Sequence, residues 1–252
     1  MLMLSCAKYN GGIMNYKVCD IHSHVAPGID DGAVDIEMSL EMLRNAYEQG
    51  VRNLVCSSHS YGRFQSYVTK VKMLGNLARA NNINIKLHHG SEIYCEEYLI
   101  DEVVDALDHG ELPTLNNTDY ILVEFDPYAS VSSIANCVTR LITKGYKIVI
   151  AHVERYYALH DNYDLLQEMQ KIGCLFQINA YSLKNETDIQ IKTFARQLLK
   201  RKLVTFLGSD AHRTTHRPYV MKDGVNYVNS YCDVEYAKDV CYRNAESILG
   251  MK

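Results

Sequence analysis

The feature that most constrains this chain is an alternation that runs through its whole length. Short apolar runs, read as strands at Lys17–Ile21, Val51–Ser57, Ile83–His89, Tyr120–Val123, Tyr146–Ala151, Leu175–Ile178 and Leu203–Leu207, take turns with amphipathic helical patterns. The helices are read at Val34–Gln49, Ser66–Ala80, Tyr98–Leu107, Val131–Thr143, Leu165–Lys171 and Asp188–Lys200, and Val234–Leu249 closes the chain. Gly50, Gly145 and Gly173 stand just past three of them, where a left-handed residue ends a helix. Strands that alternate with helices imply a parallel sheet covered on both faces. The expected fold class is therefore α/β, and at 252 residues a closed or nearly closed barrel in one domain is the natural solution. An open doubly wound sheet satisfies the same periodicity. With four prolines and no low-complexity segment, the sequence offers no linker. Met14 reads as a start shortly before the first strand, which makes residues 1–13 a dispensable tail and 14–252 the domain.

A residue able to bind metal stands at or just past the carboxyl end of nearly every strand. His22 and His24 end the first, His59 follows the second, Glu92 the third, Glu124 ends the fourth, His152 the fifth, and Asp210 and His212 follow the seventh. In a barrel these ends share one face, the face on which active sites are built. Taken singly, each signal is weak. His22-Ser-His24 puts both imidazoles on one side of a strand, but such pairs arise often by chance, and a lone carboxylate at a loop start is usually only solvated. The coincidence of so many on one face is what carries the reading. Asp31, in the loop Gly28-Ile-Asp-Asp-Gly32, is a further candidate, or else an ordinary turn residue or helix cap.

The set is nitrogen and oxygen with no sulfur, which suits Mn²⁺, Fe²⁺ or Zn²⁺. Its carboxylates, with one able to bridge, suggest several ions, which would generate a metal-bound hydroxide and clamp the oxygens of an in-line displacement. Arg155 lies three residues past His152, and Arg217 five past His212. Beside a metal cluster their guanidinium forks fit phosphate oxygens; alone they would read as rim ion pairs. The other histidines, 88, 89, 109, 160 and 216, are assigned to structure or surface, with His216 the exception to watch.

Composition excludes several other classes. A formal charge of −4 gives no electrostatic reason to expect nucleic acid or an anionic membrane as partner. No run approaches the roughly 18 apolar residues of a membrane span, and the opening is too short for a signal sequence, so the chain reads as cytoplasmic. Eight cysteines without a C-x-x-C pair read as reduced, mostly buried thiols. A thiol-based phosphatase needs C-x₅-R, and Cys56 to Arg63 has six residues between.

Asp20-Ile-His22-Ser-His24, Pro27-Gly-Ile-Asp-Asp-Gly32, Ser58-His59, Gly90-Ser-Glu92, Val123-Glu-Phe125, Ala151-His-Val-Glu-Arg155-Tyr156 and Gly208-Ser-Asp-Ala-His212 occur in this order from residue 17 to about 218. Together they resemble the polymerase-and-histidinol-phosphatase superfamily of metal-dependent phosphoesterases. Within it, the chain resembles the bacterial tyrosine-protein phosphatases of capsular and extracellular polysaccharide synthesis. The resemblance implies a distorted (β/α)7 barrel and a three-metal cluster with Mn²⁺ preferred. One ion would take His22, His24, Glu92 and Asp210, a second the bridging Glu92 with Glu124 and His152, and a third Asp31, His59 and His212. It implies Arg155 and Arg217 as phosphate binders, phosphotyrosine as substrate, and the Tyr-rich tail of a bacterial tyrosine kinase as partner. Histidinol-phosphate phosphatase is the rival enzyme reading, and a metal-binding, kinase-docking regulator the rival without catalysis. The 19 tyrosines and the absence of tryptophan are not explained by the resemblance.

Overall fold

The structure, a computed structural model, describes residues 17–59 and 64–251. The expected tail and the Met14 start lie outside the described residues. Strands β1 (Val18–Ser23), β2 (Val51–Cys56) and β3 (Lys86–His89) pair in parallel in that order. Strands β4 (Glu92–Tyr94), β5 (Tyr120–Glu124), β6 (Lys147–Ile150), β7 (Leu175–Asn179) and β8 (Phe206–Gly208) form a second parallel run. Two junctions close the ring. The His24 N–H donates to Ala211 O at 2.8 Å and the Asp210 N–H to His22 O at 2.8 Å, joining the end of β1 to that of β8. At the other seam the Gly90 N–H bonds Cys56 O at 2.9 Å and the Glu92 N–H bonds Ser57 O at 2.7 Å.

The third strand read from the sequence is β3, and the unread β4 continues its stave past a break, so that seven staves make the distorted (β/α)7 barrel. The break falls at Gly90 because Leu115 and Val55 press on it: a Cβ there would sit 2.7 Å from Leu115 Cδ2 and 2.9 Å from Val55 Cγ1. Glu92 consequently begins β4 rather than following a strand.

Alternate strand residues separate the two cores. Cys19, Ile21, Val55, Leu122, Val149 and Phe206 meet as one buried cluster inside the ring, where Ile248 and Leu249 of the closing helix join them. Val18, Leu54, Ile121, Ile148, Ile150 and Ile178 face the other way into the layer under the helices. These helices are α1 (Ile36–Glu48), α2 (Phe64–Ala80), α3 (Ile100–Asp108), α4 (Val131–Thr143), α5 (Tyr163–Lys171) and α6 (Ile189–Lys200). Asp35, Ser130 and Asp188 cap α1, α4 and α6 with their side chains. A further helix, α7 (Lys222–Tyr231), was not read from the sequence. Its Gly and Asn residues are poor helix formers, and tertiary contact holds it instead: a Cβ on Gly224 would meet Ala180 Cβ at 2.6 Å. No helix among the described residues is long and apolar enough to cross a membrane.

Candidate metal centre

All nine candidate ligands converge at the carboxyl mouth of the barrel. One group is His22, His24, Glu92 and Asp210, a second His59, Glu92 and Glu124, and a third His24, Asp31, His59 and His212, with ligand atoms in each group within 4.8 Å of one another. His152 joins through Nε2, which lies 2.8 Å from Glu92 Oε1 and 3.6 Å from Glu124 Oε2. Glu92 faces both ways, since its Oε2 lies 3.1 Å from the Nε2 of His22 and of His24. His59 departs from the expected partition: Nδ1 lies 3.3 Å from Glu124 Oε1 and Nε2 3.5 Å from Glu92 Oε2, so it reaches towards two groups. The register of β1 against β2 shifts between Asp20 and Ser23, in the stretch that delivers His22.

The hydrogen-bond network fixes which imidazole nitrogens are bare. The His152 N–H donates to Gln177 Oε1 at 2.9 Å, so that atom is the amide oxygen. Gln177 Nε2 then donates to Asn179 Oδ1, and Asn179 Nδ2 to Asp210 Oδ2, each at 2.8 Å. His22 Nδ1 must therefore donate to Gln177 Oε1 at 3.0 Å, which leaves Nε2 as a lone pair in the neutral ring. The same holds for His24, whose Nδ1 donates to the Asp30 carboxylate at 2.7 Å. These two nitrogens face each other at 3.4 Å beside the shared Glu92 oxygen. Asp210 Oδ1, buried and without a hydrogen-bond partner, lies 3.4 Å from His22 Nε2. Four acceptors aimed at one point repel unless positive charge sits among them. The residues present fit a divalent ion.

Protons can supply part of that charge. Burial disfavours a charged His24, but its bonds to Asp30 and Glu92 outweigh this and hold its pKa up at about 10. Glu92 is held well below the carboxylate range because the His22 charge and bonds from His152, His22 and His24 overcome its burial. Glu124, buried and repelled by Glu92, is pushed up to about 8. His152 is pushed down to about 4 by burial and then by Arg155, and His212 to about 4 by burial and then by His24.

Several supporting residues escaped the sequence reading. In the Asp-Asp-Gly loop it is Asp30, 3% exposed, that accepts from His24 and from the backbone N–H groups of His59 and Gly32 at 2.9 Å. Asp31 instead is 62% exposed, with its Oδ1 3.4 Å from His212 Nε2. Gly32 permits this loop, since a Cβ there would lie 2.2 Å from His24 O. Asp20 ties the β1 and β8 ends by accepting from the N–H groups of His22 at 3.1 Å and Ser209 at 3.0 Å and from the Tyr219 hydroxyl. His152, Asp210 and Arg217 all adopt left-handed backbone, with φ of 31°, 52° and 52°, strain that clusters at functional sites.

Both candidate arginines reach the cluster. Arg155 Nη1 lies 3.1 Å from Asp210 Oδ2; Arg217 donates to the same oxygen and, through Nη1, to His212 Nε2 at 2.8 Å. They line a cavity of about 380 Å³ together with Asn179, Tyr181, Ser209 and His216. Among the other histidines, His160 bonds Glu154 O and His109 bonds Asp105 O, as structural residues do. All cysteines among the described residues are free thiols. Cys56 is fully buried, and burial pushes its thiol up, away from the thiolate a nucleophile requires.

Fold and site together have the form of a metal-dependent barrel hydrolase. More narrowly, the chain belongs to the family described as "Capsular polysaccharide synthesis, CpsB/CapC", which matches residues 18–250. The tyrosine-protein phosphatase CpsB of Streptococcus pneumoniae is 32% identical over 240 residues, covering 91% of this chain and 97% of the relative. The tyrosine-protein phosphatase YwqE of Bacillus subtilis is 34% identical over 239 residues, covering 91% of each. A crystal structure from work on YwqE from Bacillus subtilis and CpsB from Streptococcus pneumoniae, described as "unique metal-dependent tyrosine phosphatases", superimposes with a TM-score of 0.83 at 29% identity. It covers 93% of this chain and 95% of that one.

Proposed function

We propose that this chain is a metal-dependent protein-tyrosine phosphatase that acts in the cytoplasm on the tyrosine-phosphorylated tail of a kinase governing polysaccharide synthesis. The observation that carries the reading is the convergence of ligand atoms from His22, His24, Glu92 and Asp210 on one buried point. That set would hold one ion; Glu92, Glu124 and His152 would hold a second, and Asp31, His59 and His212 a third. Mn²⁺ is the preferred ion, with Fe²⁺ or Zn²⁺ able to use the same donors. When bound, such ions acidify a water and polarise phosphoryl oxygens.

The chain's own residues do the rest. Arg155 and Arg217, on the wall of the 380 Å³ cavity, would bind phosphoryl oxygens and neutralise charge that spreads over them during transfer. Asp210 holds both guanidinium groups in place. Asp30 and Gln177 fix the imidazoles of His24 and His22 through Nδ1, so that their Nε2 atoms point to the place an ion would take. Phenolate, the conjugate base of an acid with pKa about 10, leaves more readily than an alkoxide, so aryl phosphates should react fastest.

A substrate panel tests the assignment. With Mn²⁺ present, a phosphotyrosine peptide should be hydrolysed faster than a phosphoserine peptide or histidinol phosphate. A preference for histidinol phosphate would assign the chain to small-molecule chemistry, and ions bound without turnover of any aryl phosphate would leave a regulator.

A further inference from the structure

The catalytic face also carries exposed aromatic rings that the chemistry does not use. Tyr128, four residues past Glu124, is 80% exposed yet held in a firm turn, its N–H donating to Asp126 Oδ1 at 2.7 Å. Its ring stacks on that of Tyr157 with centroids 5.2 Å apart, and the Tyr157 N–H bonds Pro127 O at 3.1 Å, locking the two loops together. The His160 ring lies 5.2 Å from Tyr157, and the buried Phe194 ring backs it at 4.3 Å. The row ends at an open cavity of about 440 Å³ lined by Tyr157, His160, Thr193, Phe194 and Ile189, the last 64% exposed. Tyr128 and Tyr157 come from the loops that follow β5 and β6, and Ile189 begins the helix that follows β7. The row therefore lies on the face that holds the metal cluster.

Large apolar groups gathered in water are unfavourable unless something covers them, and rigid aromatic rings offer contact area at little entropic cost. What covers this row follows from its continuity with the site, for Tyr157 stands two residues past Arg155. A phosphotyrosyl side chain that enters between the arginines leaves its own backbone at the mouth, and that backbone has to cross the rim. We infer that the row is the docking surface for one flank of the phosphotyrosine, an extended segment whose aromatic or branched apolar side chain seats beside His160 and Ile189. The inference rests on the phosphatase reading above. The three ring-to-ring steps span no more than about four or five residues of extended chain, at roughly 3.3 Å each.

The test compares the unaltered chain with Tyr128→Ala, Ile189→Ser and the double variant, all loaded with Mn²⁺. The substrates are para-nitrophenyl phosphate and two phosphotyrosine peptides, one with Phe or Ile within five residues on each side and one flanked by Gly and Ser only. The unaltered chain should show a KM about tenfold lower for the apolar peptide, the effect of one good anchor. The double variant should lose that preference while kcat and para-nitrophenyl phosphate turnover stay unchanged. Equal KM values for the two peptides on the unaltered chain, a preference retained by the double variant, or parallel loss on the small ester would each overturn the docking surface alone. Failure of the unaltered chain to hydrolyse any of the three would overturn the phosphatase reading and the docking surface with it.

Discussion

The side chains of His22 and Asp210 are 0% and 1% exposed, whereas Asp31, across the same mouth, is 62% exposed and His59 20%. The inner residues are each gripped from behind: His22 by Gln177, His24 by Asp30, and Asp210 by Asn179 and two arginines. Asp31, by contrast, is exposed, with its carboxylate 3.4 Å from His212 Nε2. Ligand type is the same on both sides, so the difference lies in preorganisation. An ion in the inner group meets donors already fixed, while one at the outer lip has to gather an exposed side chain against its rotamer entropy. We therefore expect tight and permanent binding inside and weaker, exchangeable binding outside.

Substitutions on the two sides would break that comparison if they had equal effects. Asp210→Asn should be the most damaging, lowering kcat about a thousandfold or more, because it removes a proposed ligand carboxylate and the anchor of both arginines. Metal content and turnover measured on the same preparation check it. Asp30→Asn leaves every ligand in place but weakens the grip on His24, and titration with Mn²⁺ should show affinity reduced about 10- to 100-fold. Asp31→Asn should cost less, raising the Mn²⁺ concentration needed for full activity while the inner ions survive gel filtration.

The pH response sharpens the same contrast. Metal-stripped protein should carry a proton on Glu124 below about pH 8 and on His24 below about pH 10, and ions must displace both. His152 and His212, with pKa values near 4, are already neutral at pH 7 and need no displacement. Mn²⁺ affinity should thus fall as pH drops from 8 to 6, with proton release on binding that calorimetry in two buffers can count. The smallest effect belongs to Cys56→Ser, which should leave kcat per folded molecule unchanged because that thiol is buried and takes no part.

Much of this site was legible in the sequence because most candidate ligands stand at the end of an apolar run that reads as a strand of a parallel sheet. His22, His24, His59, Glu92, Glu124, His152, Asp210 and His212 needed no more than that register to be placed on one face. The supporting residues gave no such signal. Gln177 and Asn179 look like ordinary polar residues at the end of β7, and their part depends on the backbone N–H of His152 and the carboxylate of Asp210. Asp30 and Asp31 are adjacent and chemically identical, and only the turn held open by Gly32 decides which one is buried. The break at Gly90 arises from the packing of Leu115, 25 residues on, and the helix at Lys222–Tyr231 from contact with Ala180. These are tertiary causes, which periodicity does not carry.

Metal analysis coupled to turnover tests the central claim most directly. The protein is stripped with a chelator, shown free of ions, assayed on a phosphotyrosine peptide, and assayed again as Mn²⁺ is returned. The stripped chain should be inactive, and activity should return as the three ligand groups fill, the inner one first. Full turnover by protein shown to hold no ions would contradict it.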